Sequence, residues 1–452
     1  MRILLIAYEF PPSPSPQSLR WMQLARHLVA SGVDVHVLSV DATVEPGSPV
    51  LPVGVVVHRA FAGVVTGGLA RLTRWRHGRR RVRTDPGSGG SDAADVAAVQ
   101  AIVPPPEHPR TLNWKGRAEA WLKAHVARLY FPDERGEWEY FARRRLKALL
   151  TALRPDVVVS SHEPATTLRL GRTAKQAGFA WVADLGDPVL AFYTPRRWRA
   201  AAEEIERWVC RHADHVTVTT ESARTLLLER HAIPGSRVSV LTQGFDAGQP
   251  RPGLPSPAVA SGFDFDRTRL ELVYTGSFYE FRQPHALLEA MLTCPGVRLT
   301  VATRSPPDWM LEYARAHPGQ LRMAGFLSHQ QSQELQRAGH VLVNIANTDA
   351  VHVPGKLFEY LGARRPVLQI SDDWNDAASA LIRQQRRGLV CRNEVGSIHE
   401  ALLRLQDVQR ENSWETHFRL GTEGLEHYEW AHIAGRLERI LADVARGRPQ
   451  AR

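Results

Sequence analysis

The chain has 452 residues, of which 43% are hydrophobic and 23% charged, with 57 basic against 47 acidic side chains. This length is too great for a single core and predicts two or three domains, while the balanced composition excludes a fibrous or wholly disordered chain. Since 52 of the basic residues are arginine, the net charge of +10 reflects arginine bias as much as an anionic partner, and we expect no nucleic-acid partner.

Cysteine spacing and hydropathy narrow the protein class further. The three cysteines, Cys210, Cys294 and Cys391, lie far apart in the sequence, which excludes a disulfide framework and a zinc ribbon. No run approaches the roughly 20 apolar residues of a membrane-spanning helix, and the apolar N-terminal run stops at Pro11. The sequence therefore predicts a cytoplasmic protein.

Short apolar runs alternate with stretches of helical periodicity along the chain, the pattern of parallel βα units. The first helix is predicted over Gln17–Ala30. The predicted strands are Arg2–Tyr8, Val33–Val40, Val53–Arg59, Asp156–Ser161, Ala180–Asp184, His215–Thr219, Arg237–Thr242, Leu270–Thr275, Val297–Thr303, Leu321–Phe326, Val341–Ala346 and Pro366–Ile370.

A Gly-, Pro- and Ser-rich stretch at 249–268 predicts a linker between two doubly wound α/β domains, 1–248 and 269–427. Residues 428–446 form an amphipathic helix. The first domain carries an insertion at 63–140, with an arginine-rich run at Arg71–Arg83 and a helical stretch at Trp114–Phe131. Two interpretations stay open for this insertion: a solvated basic face, or a surface that contacts anionic lipid or captures an amphiphilic acceptor.

Polar residues follow two strands of the first domain, where ligands bind in open parallel sheets. His162 begins His-Glu-Pro after one strand, and its imidazole can exchange hydrogen bonds with a sugar hydroxyl or cap the next helix. Asp184 ends the next strand, and Asp187 follows it. They can hold hydroxyls or a basic side chain, or merely shape the turn.

The second domain offers an anion site. Gly276 permits a tight exit from a strand, and Arg282 stands before the next helix. Gly355 and Lys356 open a further helix, predicted over 356–363, whose free N–H groups and dipole favour an anion. Lys356 in this first turn is electrostatically misplaced unless a phosphate neutralises it. Glu359 can accept both hydroxyls of a ribose, or form an ion pair with Lys356.

These residues resemble the family 4 type of GT-B glycosyltransferases, and more narrowly the bacterial polysaccharide-type members. The resemblance covers nearly the whole chain through HEP, ADLGDP, YTGSF, AGFLSHQQSQELQRAGHVLVNI and KLFEYLGARRPVL. It implies a GT-B fold, with two Rossmann-like domains facing a central cleft. It also implies an acceptor-side first domain, a donor-binding second domain and a last helix that crosses back to the first.

By resemblance, His162 matches the active-site histidine, Arg282 the diphosphate-binding position and Glu359 the ribose-binding glutamate. We expect the catalytic residues to be His162, Asp184 and Arg282. The expected donor-binding residues are Gly276, Ser277, Arg282, Gly325, Phe326, Leu327, Gly355, Lys356, Leu357 and Glu359. The loop at Gly325–Leu327 would contact the nucleobase. No metal and no cofactor are expected.

The expected function is transfer of a sugar from a nucleotide-diphosphate sugar to a polysaccharide, lipid-linked or small-molecule acceptor, retaining and metal-independent. The chain departs from the family pattern at Val351, Ser277 and Leu185–Gly186, where a glutamate, an arginine and an aromatic–arginine pair are usual. These departures leave two alternatives: a non-catalytic scaffold of a polysaccharide-assembly complex, and a nucleotide-sugar epimerase. The basic run at 71–83 would hold the enzyme on the inner face of a membrane.

Overall fold

The computed structural model of the chain describes residues 1–42, 44, 48–63, 135–192, 194–246, 265–278, 282–346 and 353–447. This part of the chain forms two parallel sheets of seven and six strands, each covered by helices. The predicted α/β class is therefore confirmed. The predicted helix at 114–131, the basic run at 71–83 and most of the predicted linker lie outside the described residues.

The first sheet is parallel throughout and has the strand order β3-β2-β1-β4-β5-β6-β7. Successive strands are added on one side of β1 up to β3 and on its other side from β4 onward, so the strand order reverses between β1 and β4. Its central strands are apolar and buried on both sides, as expected where helices cover both faces of a sheet. Its strands are β1 Arg2–Ile6, β2 Asp34–Val40, β3 Val56–Ala60, β4 Val157–His162, β5 Ala180–Leu185, β6 His215–Val218 and β7 Val238–Val240.

The second sheet is also parallel, with the order β10-β9-β8-β11-β12-β13, and its strand order reverses between β8 and β11. Its strands are β8 Leu270–Thr275, β9 Val297–Ala302, β10 Leu321–Gly325, β11 Val341–Ile345, β12 Val367–Ile370 and β13 Gly388–Cys391. The sequence analysis missed β13, a four-residue edge strand. A Cβ atom on Gly388 would lie 1.9 Å from the Val367 carbonyl oxygen, so only glycine permits this pairing.

The helices around the first sheet are α1 Pro16–Ala30, α2 Gly136–Leu153, α3 Thr166–Gln176, α4 Arg199–His212 and α5 Glu221–His231. Those of the second are α6 His285–Leu292, α7 Asp308–Ala316, α8 His329–Ala338, α9 Lys356–Gly362, α10 Ala377–Gln384, α11 Val395–Arg410 and α12 Trp414–His417. The last helix is α13 Trp430–Arg446. Local signals explain several starts: the Ser15 side chain caps α1, and Ser328 with Gln331 forms a capping box on α8.

Most predicted strands have the observed position but differ at their ends. The strand predicted at Val53–Arg59 begins three residues later, because Val53 and Gly54 form a turn in which Gly54 has a φ of +86°. The strand predicted at Arg237–Thr242 is shortened to Val238–Val240, since a 3₁₀ turn occupies Gly235–Arg237.

The last helix packs on the first sheet. Five apolar residues of α13 share a buried cluster with Trp21 and Leu24 of α1, namely Trp430, Ile433, Ala434, Leu437 and Leu441. The chain passes between the sheets twice, and the two passages touch: the Phe245 N–H donates to the Tyr428 carbonyl at 3.0 Å. The domain boundaries drawn from the sequence stay predictions, because residues 247–264 lie outside the described part.

Candidate functional site

The predicted donor residues collect at one edge of the second sheet. Gly276 and Ser277 follow β8, Gly325 ends β10, and α9 begins after β11, so all four lie where parallel strands end. This edge includes the position between β8 and β11 where the strand order reverses. Open α/β sheets bind ligands at such positions.

Lys356 places its ammonium group inside this edge. The Nζ atom lies 3.5 Å from the centroid of the Tyr274 ring, is buried, and has no hydrogen-bond partner among the described residues. Burial, with the positive charge of Arg282 second, holds the pKa of Lys356 well below 10.5. The side chain is therefore a buried cation whose charged form lacks a compensating anion within the described residues.

Arg282 supplies a second positive charge at the same place. Its side chain is only 8% exposed, and it acts on Lys356 strongly enough to lower the pKa of that residue. Gly276 has a φ of +126°, and a Cβ atom there would lie 3.6 Å from Cδ of Lys356. The structure thus brings Gly276, Arg282 and Lys356 together. Two buried cations beside one another favour a ligand with more than one negative charge.

The helix that carries Lys356 is fastened to β8. The Tyr360 hydroxyl accepts a hydrogen bond from the Thr275 N–H at 3.0 Å, and burial raises the pKa of Tyr360. Leu357 is fully buried beneath the first turn. Together these contacts orient the N-terminus of α9 relative to the strand whose exit holds Gly276.

Glu359 contacts a histidine, and Lys356 is not its partner among the described residues. Its Oε1 atom lies 3.8 Å from Nδ1 of His329, and both side chains are about one quarter exposed. The sequence analysis left two roles open for Glu359, ribose binding and an ion pair with Lys356, and the ion pair is not formed in this structure. The carboxylate retains solvent access one turn from the paired cations.

The predicted nucleobase loop follows β10. Gly325 has a φ of +70°, and its carbonyl accepts from the Thr303 N–H at 3.0 Å. Phe326 is 48% exposed, and the guanidinium carbon of Arg304 lies 4.4 Å from its ring centroid. Leu327 packs on a buried cluster. The sequence analysis missed Arg304, although its position two residues after β9 was a usable signal.

At Gly355, the start of α9 lies close to the chain that leaves the first sheet. A Cβ atom at Gly355 would lie 3.1 Å from Cγ of Gln243, which follows β7 of the first sheet. Farther along α9, Gly362 leaves room for the Phe245 ring. The passage between the sheets therefore packs along the helix that begins with Lys356.

His162 ends β4 of the first sheet and is buried. Its Nδ1 atom lies 3.0 Å from the Asp187 carbonyl oxygen, and its own carbonyl accepts from Nε2 of Gln17 at 2.9 Å. Because a carbonyl can only accept, Nδ1 carries the proton and, in the neutral ring, Nε2 is an acceptor. Among the described residues, His162 shares no hydrogen bond with the second sheet.

Asp184 holds a basic side chain, one of the roles the sequence left open. The carboxylate is 1% exposed, lies 3.2 Å from Arg20 and accepts from the Thr217 hydroxyl at 2.7 Å. Arg20 also donates to the Leu241 carbonyl at 2.8 Å. Both Asp184 oxygens are therefore occupied inside the sheet.

Two further properties concern the described part of the chain alone. No group of three or more His, Cys, Asp or Glu side chains there is arranged to hold a metal ion. No helix there has the length and hydropathy needed to cross a bilayer. Val351, where the family pattern has a glutamate, lies outside the described residues.

A family model described as Glycosyltransferase Family 4 matches residues 94–249, about one third of the chain. No curated protein sequence matches it. Similar solved structures include Anabaena Alr3699/HepE in complex with UDP and glucose, at 12% identity, TM-score 0.59 and coverage of 98% of this chain and 100% of that one.

Sucrose-phosphate synthase from Thermosynechococcus elongatus is similar at 14% identity and TM-score 0.64, covering 98% of each chain. UDP-GlcNAc 2-epimerase from Methanocaldococcus jannaschii is similar at 11% identity and TM-score 0.53, covering 98% of this chain and 100% of that one. These likenesses extend over both sheets and show the GT-B fold. At such low identity they do not distinguish transferase from epimerase.

Proposed function

We propose that the protein is a glycosyltransferase that moves a sugar from a nucleotide-diphosphate sugar to a polysaccharide, lipid-linked or small-molecule acceptor. The observation that carries this proposal is the pair of buried cations, Arg282 and Lys356, at the switch point of the second sheet. The family match in the first half and the UDP complex of a similar fold support it. We further propose retention of configuration and no requirement for a metal, as the family resemblance implies.

The difficult step is departure of the nucleoside diphosphate from the anomeric carbon. Negative charge grows on the leaving oxygen while the sugar becomes oxocarbenium-like. Arg282, Lys356 and the N–H groups at Gly355 would stabilise that charge in a site with little water, where such groups act most strongly. Glu359 would accept the ribose hydroxyls, and the loop at 325–327 would contact the base.

His162 would serve the sugar side of the reaction. With its Nδ1 proton held by the Asp187 carbonyl, its Nε2 atom can accept a hydrogen bond from a sugar hydroxyl. We propose that Asp184 is a positioning residue, because its oxygens are engaged by Arg20 and Thr217. Through the β5 strand it would fix the turn that bears Asp187.

The first test is calorimetry with UDP, GDP and ADP in the presence of a chelator. We expect one of these nucleotides to bind, because the paired cations attract a diphosphate without metal. Binding of none of them would favour the scaffold. The protein is then incubated with a panel of nucleotide sugars and cell-envelope extract, and the products are analysed by mass spectrometry. We expect a glycosylated product, whereas an epimerised donor would favour the epimerase.

The second test is Arg282→Ala, with Arg315→Ala on the exposed surface of α7 as the matched control. We expect kcat/KM to fall by more than about fivefold in the first variant, a loss of roughly 1 kcal/mol or more of transition-state stabilisation. The control should keep the wild-type value. A smaller loss in Arg282→Ala contradicts its assigned role.

A further inference from the structure

One buried carboxylate beside the first sheet lies outside the proposed chemistry. Glu206, in the middle of α4, is 0% exposed, and a glutamate is seldom fully buried unless its charge is paired. Its Oε1 atom lies 2.6 Å from Nη1 of Arg230 and 2.7 Å from Nε2 of His231, both at the end of α5. Its Oε2 atom accepts from the Leu190 N–H at 3.0 Å. Glu206 therefore joins α5 to the chain that follows β5.

The same contacts hold the loop that follows β5, residues 186–191, called here the β5 loop. Leu190 is bound at both of its backbone polar groups, because its N–H donates to Glu206 and its carbonyl accepts from Nη1 of Arg230 at 3.1 Å. Since that nitrogen of Arg230 also donates to Oε1 of Glu206, the three residues close a ring of hydrogen bonds. The position of the Leu190 backbone therefore depends on the Glu206 carboxylate.

The β5 loop in turn holds His162. The Asp187 carbonyl oxygen, three residues before Leu190, lies 3.0 Å from Nδ1 of the imidazole. The first residue of the loop is held separately, because the Gly186 carbonyl accepts from the Thr219 hydroxyl at 2.7 Å. Asp187 thus lies between two anchored residues, and its carbonyl has little freedom to turn away from His162.

The chemistry of Glu206 fits a positioning role better than a packing role. A buried ion pair is a weak source of stability, because hydrophobic residues of similar volume often stabilise a fold as well or better. What a buried carboxylate supplies is a pair of acceptors in fixed directions. An apolar side chain could fill the space between α4 and α5, but it could not accept from the Leu190 N–H.

We propose that Glu206 is a positioning residue for His162. With Arg230 it fixes the β5 loop, so that the Asp187 carbonyl holds the Nδ1 proton of the imidazole and leaves Nε2 as an acceptor. The ring then meets a sugar hydroxyl in one tautomer and one orientation. The inference deepens the proposed function and rests on it for its kinetic consequence, whereas its consequence for the His162 tautomer does not depend on catalysis.

The first test measures the tautomer of His162 by NMR of the full chain with ¹⁵N-labelled histidine, and His162→Gln assigns the signals. In the wild type we expect a protonated Nδ1 and an unprotonated Nε2 at a pH where the ring is neutral. Glu206→Gln offers one acceptor oxygen in place of two, so either Leu190 or the cations of α5 lose their partner and the β5 loop loosens. We expect both tautomers of His162 in this variant.

The second test is the kinetics of sugar transfer by Glu206→Gln. We expect kcat to fall about tenfold, because the imidazole acts in the reaction and is then misoriented. The affinity for a nucleoside diphosphate should stay within about twofold of the wild type, since the donor edge belongs to the second sheet. Arg230→Gln removes the donor to the Leu190 carbonyl and should have a smaller effect in the same direction. It takes the place of Glu206→Gln in both tests should that variant not fold.

The matched control is Asp214→Asn. The Asp214 carboxylate resembles that of Glu206 in its partners, because it accepts from the Trp181 N–H at 2.8 Å and pairs with Lys175 at 2.6 Å. These contacts lie at the amino end of β5, whereas the β5 loop follows the carboxyl end of that strand. Thermal unfolding measures the loss of stability in each variant. The control should keep the wild-type tautomer of His162 and the wild-type kcat.

Three results would overturn the proposal. One is the wild-type tautomer of His162 in folded Glu206→Gln. Another is an equal fall of kcat in Asp214→Asn, which would trace the loss to general destabilisation. The third is weaker binding of a nucleoside diphosphate by Glu206→Gln with unchanged kcat. A wild-type chain without transferase activity contradicts the proposed function instead, and a changed tautomer in Glu206→Gln would still support the positioning role.

Discussion

At the scale of single residues, Lys356 should destabilise the unliganded fold and strengthen the binding of a nucleotide diphosphate. Its ammonium nitrogen is buried against Tyr274 without a hydrogen-bond partner in the described part of the chain, so its charge destabilises the unliganded fold. We predict that Lys356→Met raises Tm, by roughly 2–4 °C for each kcal/mol that the loss of the buried charge adds to the free energy of unfolding. The same change should weaken nucleotide diphosphate binding at least tenfold. Calorimetry measures both, with the exposed Lys147→Met as control.

The pKa of Lys356 gives this prediction a pH dependence. Because the folded-state pKa lies well below 10.5, the folded protein binds fewer protons than the unfolded chain between the two pKa values. The free energy of unfolding should therefore rise with pH across that window, and Lys356→Met should lack this part of the rise. A bound diphosphate favours the charged lysine, so at a pH above the pKa of the unliganded Lys356, binding should take up a proton. Equal pH profiles for variant and wild type would contradict the argument.

Asp184 tests whether a buried carboxylate acts in chemistry or in structure. Asp184→Asn leaves Arg20 buried without its anion, and breaking such a pair costs about 3–5 kcal/mol. We predict a lower Tm by thermal denaturation and near-normal kcat in the molecules that stay folded. Arg20→Met with Asp184→Leu should recover much of the stability. A variant with wild-type Tm but abolished kcat would instead make Asp184 catalytic.

At the scale of elements, α13 follows the second sheet in the sequence but packs beside α1, near the beginning of the chain. Its buried face packs with α1 on the first sheet. Each large apolar side chain buried there stabilises the fold by about 1.5–3 kcal/mol. We predict that a chain ending before Tyr428 loses several degrees of Tm and binds a hydrophobic dye, because α1 and the sheet become exposed.

The control for this truncation removes residues 448–452 alone and should unfold as the full chain does. Nucleotide binding gives a second measurement. Phe245, whose backbone pairs with Tyr428 and Trp430, also packs with Phe358 of α9, so the cut should weaken donor binding as well. A truncated chain with unchanged Tm and solubility would count against the packing role of α13.

At the scale of the whole molecule, both sheets reverse strand order next to a site residue. His162 ends β4 at the reversal between β1 and β4, and Gly276 follows β8 at the reversal between β8 and β11. The proximity of Gln243 to Gly355 shows that the passage between the sheets reaches the start of α9. The first sheet thus carries His162 and the second carries Arg282 and Lys356, and the proposed function assigns the acceptor side to the first and the donor side to the second.

The sequence by itself determined the alternation of strands and helices and the residues that follow each strand. It predicted that Gly276, Arg282 and Lys356 belong to one anion site, because local patterns, a strand exit and a helix start, decide where such residues lie. It did not find β13, because the apolar run Leu389–Cys391 of this edge strand is only three residues long and gives a weak strand signal.

Only the tertiary structure decided which charges are compensated. Arg20 and Asp184 are 164 positions apart, and Lys356 of α9 contacts Tyr274 of the distant strand β8. No local spacing in the sequence therefore reveals either contact. The cavity between α2, α3 and α4 likewise needs three helices to pack before Arg143 and Arg172 line one space. Burial and long-range proximity set the electrostatics of a side chain, and both are properties of the packed chain.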